Sequence, residues 1–256
     1  MRNKLCKSMM VISIIIIPIL FSCASTQQKQ VESEDANTYF QLGLTYVQKG
    51  EYAKAVQYFN KSIEMDPKNP MAYNSRGGVY NAMGQYDRAI PDFTKAIEMD
   101  PKIAMFYSNR AIAFCVKEQY DQAILDCNKA LEIDPRDAGA LHERGLAYAK
   151  KGQHDQAISD YTKALETDQK YAIKVYLNRG ISYGDKGEYD LAISDFNKII
   201  DINPKYAQAY YIRGVVYYFK KEFGNSWDDI KKAQNLGFKV PAEFIEELRK
   251  ASGREK

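Results

Sequence analysis

The sequence has few of the residues from which catalytic and metal sites are usually built. Its 256 residues include two histidines and four cysteines. Neither His142 nor His154 has a companion at a metal-ligand spacing, which argues against a metal site. The chain has no glycine-rich phosphate loop and no Ser/His/Asp constellation, so its motifs do not predict an enzyme. We therefore expect no cofactor and no small-molecule substrate.

A surplus of charge of one sign is also missing. The formal net charge is +3, and Arg2, Lys4 and Lys7 account for all of it, because the N-terminal segment contains no acid. Without these three residues, the basic and acidic side chains balance. The sequence has no basic arm and no run of Lys or Arg, so its charge pattern argues against nucleic-acid binding.

Residues 1–22 form a basic start followed by a single apolar run from Met9 to Phe21. This run is shorter than the roughly 20 residues that a spanning helix needs, and it is typical of a secretory signal peptide. The following Leu20-Phe21-Ser22-Cys23 resembles the bacterial lipobox. That resemblance implies cleavage before Cys23 and lipid attachment to its sulfur. The alternative is plain secretion with an unmodified cysteine.

The lipobox resemblance also implies three acyl chains on Cys23, and several chains hold a protein stably at a membrane where one holds it only marginally. Residue 24 is Ala rather than Asp, which resembles the outer-membrane sorting pattern of double-membraned bacteria. Residues 23–35 are polar after the cysteine and predict a flexible tether of up to ~40 Å. We expect a lipid-anchored protein at the bacterial outer membrane, facing the periplasm.

From Ala36 onward, a pattern of about 34 residues recurs six times. Each copy holds two apolar-periodic runs separated by a glycine-containing turn, which predicts a helix–turn–helix. We call the two predicted helices A and B, and we number positions within each repeat from its first residue. The first residues are Ala36, Pro70, Ala104, Ala138, Ile173 and Ala207.

Certain positions keep their character in every repeat. Positions 8 and 20 are small, whereas positions 11 and 24 are mostly aromatic, and the fixed register predicts that the tyrosines are core residues. Glycine costs about 1 kcal/mol relative to alanine in a helix, so we expect the glycines at position 8 to permit close approach of the two helix backbones. Pro91 is expected in the first turn of helix B, where a missing N–H is tolerated.

These residues resemble the tetratricopeptide repeat (TPR) family in the aromatics at positions 4, 11 and 24, Gly at 8, Ala at 20 and 27, and Pro at 32. The resemblance implies an all-α, right-handed superhelical solenoid of six repeats whose A helices line a concave groove. Pro241 predicts a last, amphipathic helix that caps the sixth repeat, or alternatively docks a partner. The predicted segments are 36–69, 70–103, 104–137, 138–172, 173–206 and a degenerate 207–238, then a capping helix over 239–250 and a disordered tail over 251–256. One extra residue before the fifth repeat predicts a longer loop near 168–172.

A row of arginines occupies position 7 in every repeat but the first, which has Leu42 there. The row is either an anion ladder or, as we favour, a set of structural arginines that pack at the repeat junctions and pair with nearby acids. Cys115 and Cys127 belong to different faces of one helical hairpin, which disfavours a disulfide between them. Cys127 is expected to be a buried hydrophobe.

The groove is the candidate partner-binding site. Helix A positions 2, 5, 9, 12 and 13 should face it, and the Lys at position 5 and Asn at position 9 of the carboxylate clamp found in chaperone-binding TPR domains are missing here. We therefore expect side-chain pockets to hold a peptide. The predicted groove residues are Phe40, Leu44, Asn74, Ser108, Asn109, Ile112, His142, Leu146, Leu177, Asn178, Ile181, Tyr211, Val215 and Tyr218.

The function that these features predict is a non-enzymatic, lipid-anchored scaffold that binds a partner protein or peptide at the cell envelope. The resemblance is to two groups of outer-membrane TPR lipoproteins: adaptors for cell-wall hydrolases, and assembly factors for pili or secretin pores. The alternative is a structural or self-associating protein that uses its convex face or an end of the solenoid.

Overall fold

The structure, a computed structural model, describes residues 35–168 and 172–254. The predicted signal peptide, Cys23, nearly all of the tether, residues 169–171 of the predicted longer loop and residues 255–256 lie outside this range. The described residues form thirteen helices and no strand. The helices are α1 (Ala36–Gln48), α2 (Tyr52–Met65), α3 (Pro70–Ala82), α4 (Tyr86–Met99), α5 (Ala104–Val116), α6 (Tyr120–Ile133), α7 (Ala138–Lys150), α8 (His154–Thr167), α9 (Ala172–Asp185), α10 (Tyr189–Ile202), α11 (Ala207–Phe219), α12 (Phe223–Asn235) and α13 (Ala242–Ser252).

The helices belong to two compact units, one made of the described residues up to Lys68 and the other of the described residues from Asn69 onward. In the first unit, α1 packs against α2. In the second unit, five further A/B pairs pack one after another in chain order, and the A helices α5 and α7 also contact each other directly. The predicted all-α fold of consecutive helix pairs is confirmed.

Each A helix is followed by a left-handed residue that turns the chain toward helix B. Four repeats place glycine there, the residue that adopts positive φ without steric cost. Glu118 and Lys221 take the same conformation in the third and sixth repeats, with φ of 59° and 65°. The turn geometry is therefore kept where the sequence departs from glycine. The four glycines are Gly50, Gly84, Gly152 and Gly187.

The glycine at position 8 makes room for the side chain at position 24, and not for the other helix backbone as the sequence suggested. A Cβ atom added at Gly77 would lie 2.8 Å from Cε1 of Phe93, and one added at Gly145 would lie 2.7 Å from Cε1 of Tyr161. Both rings are fully buried. The gain that offsets helical glycine is thus a large ring packed onto the bare backbone of helix A.

The arginines at position 7 are structural, as favoured from the sequence. Arg144 donates from Nε and Nη2 to both oxygens of Asp160 at 2.7 Å, and its Nη1 donates to Asn128 of the preceding repeat, also at 2.7 Å. Such bidentate pairs are the strong, directional form of ion pair. Each of these arginines therefore ties helix A to its own helix B, and the other four pairs are Arg76–Asp92, Arg110–Asp126, Arg179–Asp195 and Arg213–Asp229.

The first repeat replaces this ion pair with an aromatic stack. Leu42 stands at the arginine position and Tyr58 at the aspartate position. The Tyr58 ring stacks on Tyr46 at 5.1 Å and on Tyr39 at 6.3 Å. Tyr39 and Tyr46 stand at positions 4 and 11 of the repeat. In the fifth repeat, the guanidinium of Arg179 lies over the rings at these two positions, Tyr176 and Tyr183.

The position predicted for Pro91 was wrong. Helix α4 begins at Tyr86, so Pro91 lies inside the helix, beyond its first turn. Because Pro91 has no N–H, the carbonyl oxygen of Asp87 loses its helical partner. Both residues are exposed, so this oxygen can bond to water. This exposure explains why the helix continues to Met99.

The C-terminal helix also differs from its predicted bounds. It begins at Ala242, with Pro241 preceding it as the N-cap residue rather than as its first helical residue. It continues through Ser252, past the predicted end at residue 250, and Gly253 closes it with φ of 66°. Residues 251 and 252, predicted to be disordered, are thus helical, because the left-handed glycine places the natural stop after them.

Candidate partner-binding site

A pocket of about 380 Å³ lies on the A-helix side of the second unit, between α5, α7 and the first turn of α9. This volume is within the range of known ligand sites. We call it the central pocket. Its lining includes four of the predicted groove residues: Ser108, Asn109, Ile112 and His142. The other lining residues are Met105, Asp137, Gly139, Glu143 and Lys174.

His142 is held in place from both sides of its ring. Its Nδ1 lies 3.0 Å from Oε1 of Glu143, and its Nε2 lies 3.0 Å from the amide nitrogen of Asn178 in the next repeat. The imidazole is buried, with 8% of its residue surface exposed. With the Asn178 amide donating to Nε2, the ring proton on Nδ1 points to Glu143. His142 and Asn178 therefore bridge two A helices and fix the position of Glu143.

Three asparagines form an amide cluster beside the pocket. The Asn109 side-chain amide donates to Oδ1 of Asn74 at 2.9 Å, and the Asn81 side-chain amide donates to the main-chain carbonyl oxygen of Asn109 at 3.3 Å. Within the described part of the chain, the buried Oδ1 of Asn81 has no hydrogen-bond partner. Asn74 is itself buried, so position 5 lies mainly at the junction between successive A helices rather than in open solvent.

The base of the pocket is fixed by Asp137. Its Oδ1 accepts the N–H of Ala140 and so caps α7, while its Oδ2 accepts the hydroxyl of Ser108 at 2.8 Å. On α5, the Cys115 thiol lies 3.8 Å from the main-chain carbonyl oxygen of the pocket residue Glu143. Burial, reinforced by the nearby Glu143, raises the pKa of this thiol to about 12. Cys115 and Cys127 are both buried free thiols.

Two predicted groove residues in the sixth repeat are covered by the end of the same chain. Tyr211 stacks on Phe238 at 4.7 Å and meets Phe244 of α13 edge-on at 6.0 Å, and Tyr218 meets the Phe244 ring at 5.4 Å. Both tyrosines are half-buried. They are therefore contact residues of the C-terminal helix, through Phe244.

The remaining predicted groove residues do not line the central pocket. In the first unit, Phe40 packs on Phe59 with ring centroids 5.7 Å apart. At position 9, Ile181 of the fifth repeat is 38% exposed, and Ile112 of the pocket is 37% exposed. The half-buried members are Leu44, Leu146, Leu177 and Val215.

Comparison with known families identifies the repeats. Models of the tetratricopeptide repeat match residues 36–69, 70–103, 104–137, 138–171 and 173–206, which together make up more than half of the chain. The chain belongs to the tetratricopeptide repeat family. A search of curated proteins found no match.

Solved structures share the TPR fold. A chain of the APC/C hetero-tetramer Cut9–Hcn1 superposes with a TM-score of 0.74 at 21% identity, over 90% of this chain and 45% of that one. This chain therefore spans less than half of that relative. MamA matches with a TM-score of 0.57 at 27% identity, over 68% of this chain and 95% of its own. YrrB, described as a TPR protein with an unusual peptide-binding site, matches with a TM-score of 0.60 at 22% identity, over 77% and 98%.

TPR arrays are scaffolds for protein–protein interaction, and the fold is generally non-catalytic. Among residues 35–168 and 172–254, no group of three or more His, Cys, Asp or Glu side chains is arranged to hold a metal ion. Within those same residues, no helix has the length and apolar character needed to cross a bilayer. The chemistry that the site offers is hydrogen bonding, charge and apolar contact.

Sequence reasoning missed five residues of the central pocket, although most of them carried a signal. Position 2 was predicted to face the groove and supplies Met105, Gly139 and Lys174. Glu143 stands at position 6 of its repeat, as do Asn109 and Asn178, which were predicted to be groove residues. Asp137 precedes α7 in a loop, so no helical periodicity indicates it.

Proposed function

We propose that this TPR protein is a lipid-anchored interaction scaffold of the bacterial cell envelope and that it binds a peptide segment of its partner at the central pocket. The observation that carries the peptide-binding part is the pocket itself, because it combines an exposed apolar wall at Ile112 with fixed polar groups at Asn109 and Glu143. This combination is typical of sites that bind by shape and orient by a few polar contacts.

The anchoring part of the proposal is supported by the sequence from Leu20 to Cys23 and by the polar residues that follow it. Growth with an alkyne analogue of palmitate should label the wild-type protein, and Cys23→Ala should abolish the label. The mature wild-type protein should begin at residue 23. An unlabelled protein that still begins at Met1 would contradict the anchoring.

Within this class, two partner types fit the resemblance to outer-membrane TPR lipoproteins: a cell-wall hydrolase, for which the protein would be an adaptor, and a pilus or secretin subunit, whose assembly it would assist. Affinity purification from detergent extracts followed by mass spectrometry separates them. The partner recovered with wild-type protein decides which type applies.

The pocket assignment is tested by two charge insertions in the same purification. Ile112→Glu places a carboxylate on the apolar wall of the pocket. Leu125→Glu is the matched control, since Leu125 is 64% exposed on the B helix α6 of the same repeat. We expect the first variant to lose the partner and the second to retain it. Equal recovery with both variants would remove the pocket from the proposal.

The alternative function, self-association, is favoured by apolar side chains exposed on the B helices. Leu125, Leu191 and Ile202 are between 49% and 64% exposed. Light scattering of purified protein distinguishes the two functions. A monomer at all concentrations disfavours self-association, whereas an oligomer that Leu125→Glu dissociates supports it.

A further inference from the structure

We propose that the central pocket binds a lysine or arginine side chain of the partner peptide and that Glu143 is the group that recognises it. This inference rests on the proposed function and adds the chemistry of the ligand. The pocket contains two carboxylates, Asp137 and Glu143, and one ammonium group, Lys174, so its lining carries one net negative charge.

Glu143 is the carboxylate with bonding capacity left for a ligand. Its side chain is 18% exposed, and its Oε1 is occupied by Nδ1 of His142. Its Oε2 makes no hydrogen bond to another residue of the described chain. By contrast, both oxygens of Asp137 are occupied within the protein, by Ser108 and by the N–H of Ala140. Asp137 therefore contributes charge, and Glu143 contributes charge and a free acceptor.

The position of Glu143 is also fixed before any ligand arrives. His142 holds its Oε1, and Asn178 of the next repeat holds the other side of the imidazole. A preorganised acceptor loses little conformational entropy on binding, so its contact contributes more to affinity. The fixed geometry favours a donor that approaches from the open side of the pocket.

The apolar wall suits the stem of a long basic side chain. Met105 is 41% exposed and Ile112 is 37% exposed, and both line the pocket with Glu143. Lysine and arginine bury their methylene stems on apolar surface while their charged ends reach polar groups. A neutral aliphatic side chain would cover the wall but leave the Glu143 carboxylate desolvated without a partner, and an acidic one would be repelled.

The test uses full-length protein purified in detergent and fluorescently labelled peptide pools. The pools carry Lys, norleucine or Glu at one fixed central position and a random mixture of uncharged residues elsewhere. Norleucine has the length of lysine without its charge. Fluorescence polarisation gives the affinity of each pool for wild-type protein, for Glu143→Gln and for Glu166→Gln. Glu166 is an exposed acid on the B helix of the same repeat, so it controls for net charge.

We expect the Lys pool to bind wild-type protein about tenfold more tightly than the norleucine pool. A ratio of this size corresponds to the free energy that one charge-assisted hydrogen bond contributes. Glu143→Gln should remove this preference, because the neutral amide loses the charge-assisted bond to lysine and costs less to desolvate beneath norleucine. Binding of the norleucine pool at least as tight as to the wild type also shows that the variant is folded. Glu166→Gln should keep the preference.

Two different failures are distinguishable. Equal binding of the Lys and norleucine pools, or a preference that survives Glu143→Gln, overturns the assignment of a basic ligand but leaves a peptide-binding pocket. Absence of binding by every pool overturns the proposed peptide binding and this inference with it.

Discussion

Ala111 and Cys127 pack in one buried cluster at the two positions where the other five repeats place glycine opposite a larger side chain. Both residues are fully buried. Where position 8 of helix A carries a methyl group, position 24 of helix B carries the smallest side chain found at that position in the six repeats. The larger residue at one position is thus compensated by a smaller residue at the other, as close packing requires.

This exchange predicts strong coupling between the two sites. Cys127→Phe alone should destabilise the protein by about 1–3 kcal/mol, because the added ring meets the Ala111 methyl group. Combining it with Ala111→Gly, which restores the pattern of the other repeats, should recover at least about 1 kcal/mol of that loss. Urea unfolding of the wild type, both single variants and the double variant gives the coupling energy. Simple additivity of the two changes would refute the argument.

Tyr161 is predicted to destabilise its own repeat through its hydroxyl group. The side chain is fully buried, and its Oη has no hydrogen-bond partner in the described part of the chain. Because an unsatisfied buried polar group costs about 1–3 kcal/mol, Tyr161→Phe should raise the free energy of unfolding by about 1 kcal/mol. Phe196→Tyr, the opposite change at the same repeat position, should lower it. Equal stabilities of Tyr161→Phe and wild type would indicate that the hydroxyl finds a partner.

The single tryptophan can report on the docking of α13. The indole N–H of Trp227 donates to the hydroxyl of Ser252 at 3.1 Å, and Leu248 is fully buried. Leu248→Ala should weaken α13 packing by about 2–5 kcal/mol and shift Trp227 emission to longer wavelength at a lower urea concentration than in wild type. Glu247→Ala, an exposed neighbour on α13, is the control and should leave the emission unchanged. Identical urea profiles for both variants would show that α13 packs independently of Leu248.

The buried thiol of Cys115 should make stability depend on alkaline pH. Burial raises its pKa from 9.0 to about 12 in the folded protein, so between these values the folded state keeps a proton that the unfolded state has lost. The free energy of unfolding therefore falls as pH rises above 9, by up to about 1.4 kcal/mol per pH unit from this group. Burial also raises the pKa of the Cys127 thiol, so Cys115→Ala should make the slope measured by urea unfolding between those pH values less steep without abolishing it. Parallel slopes for the two proteins would contradict the assignment.

The helix pairs could be predicted from the sequence because their information is local and repeated. The alternation of small and aromatic positions recurs in the repeats, Pro recurs at position 32 in four of them, and the helix pairs follow this pattern. The bonding partner of each arginine was not predicted, although Asp160 stands 16 residues after Arg144 and the same interval recurs in four other repeats. That interval joins two different helices, so only knowledge of how the hairpin closes identifies the contact.

The site was less predictable because its geometry depends on what surrounds each position. Tyr211 and Ile112 both stand at positions predicted to face the groove, yet Tyr211 is covered by the chain's own C-terminal segment while Ile112 is exposed. That segment lies outside the repeats, so the repeat pattern carries no information about where it packs. Glu143 could have been predicted as a groove residue, because it stands at position 6 of its repeat, the position at which Asn109 and Asn178 were predicted to face the groove.

The position-7 arginines, which join neighbouring repeats, affect how the number of repeats can increase in evolution. Arg144 takes its carboxylate from its own repeat and its other acceptor from Asn128 of the repeat before, and Arg179 does the same with Asp195 and Thr162. A tandem duplication of the DNA that encodes one internal repeat would therefore copy both halves of the contact together. The array could lengthen by whole units in a single genetic event, without waiting for a matching side chain to arise at the new boundary.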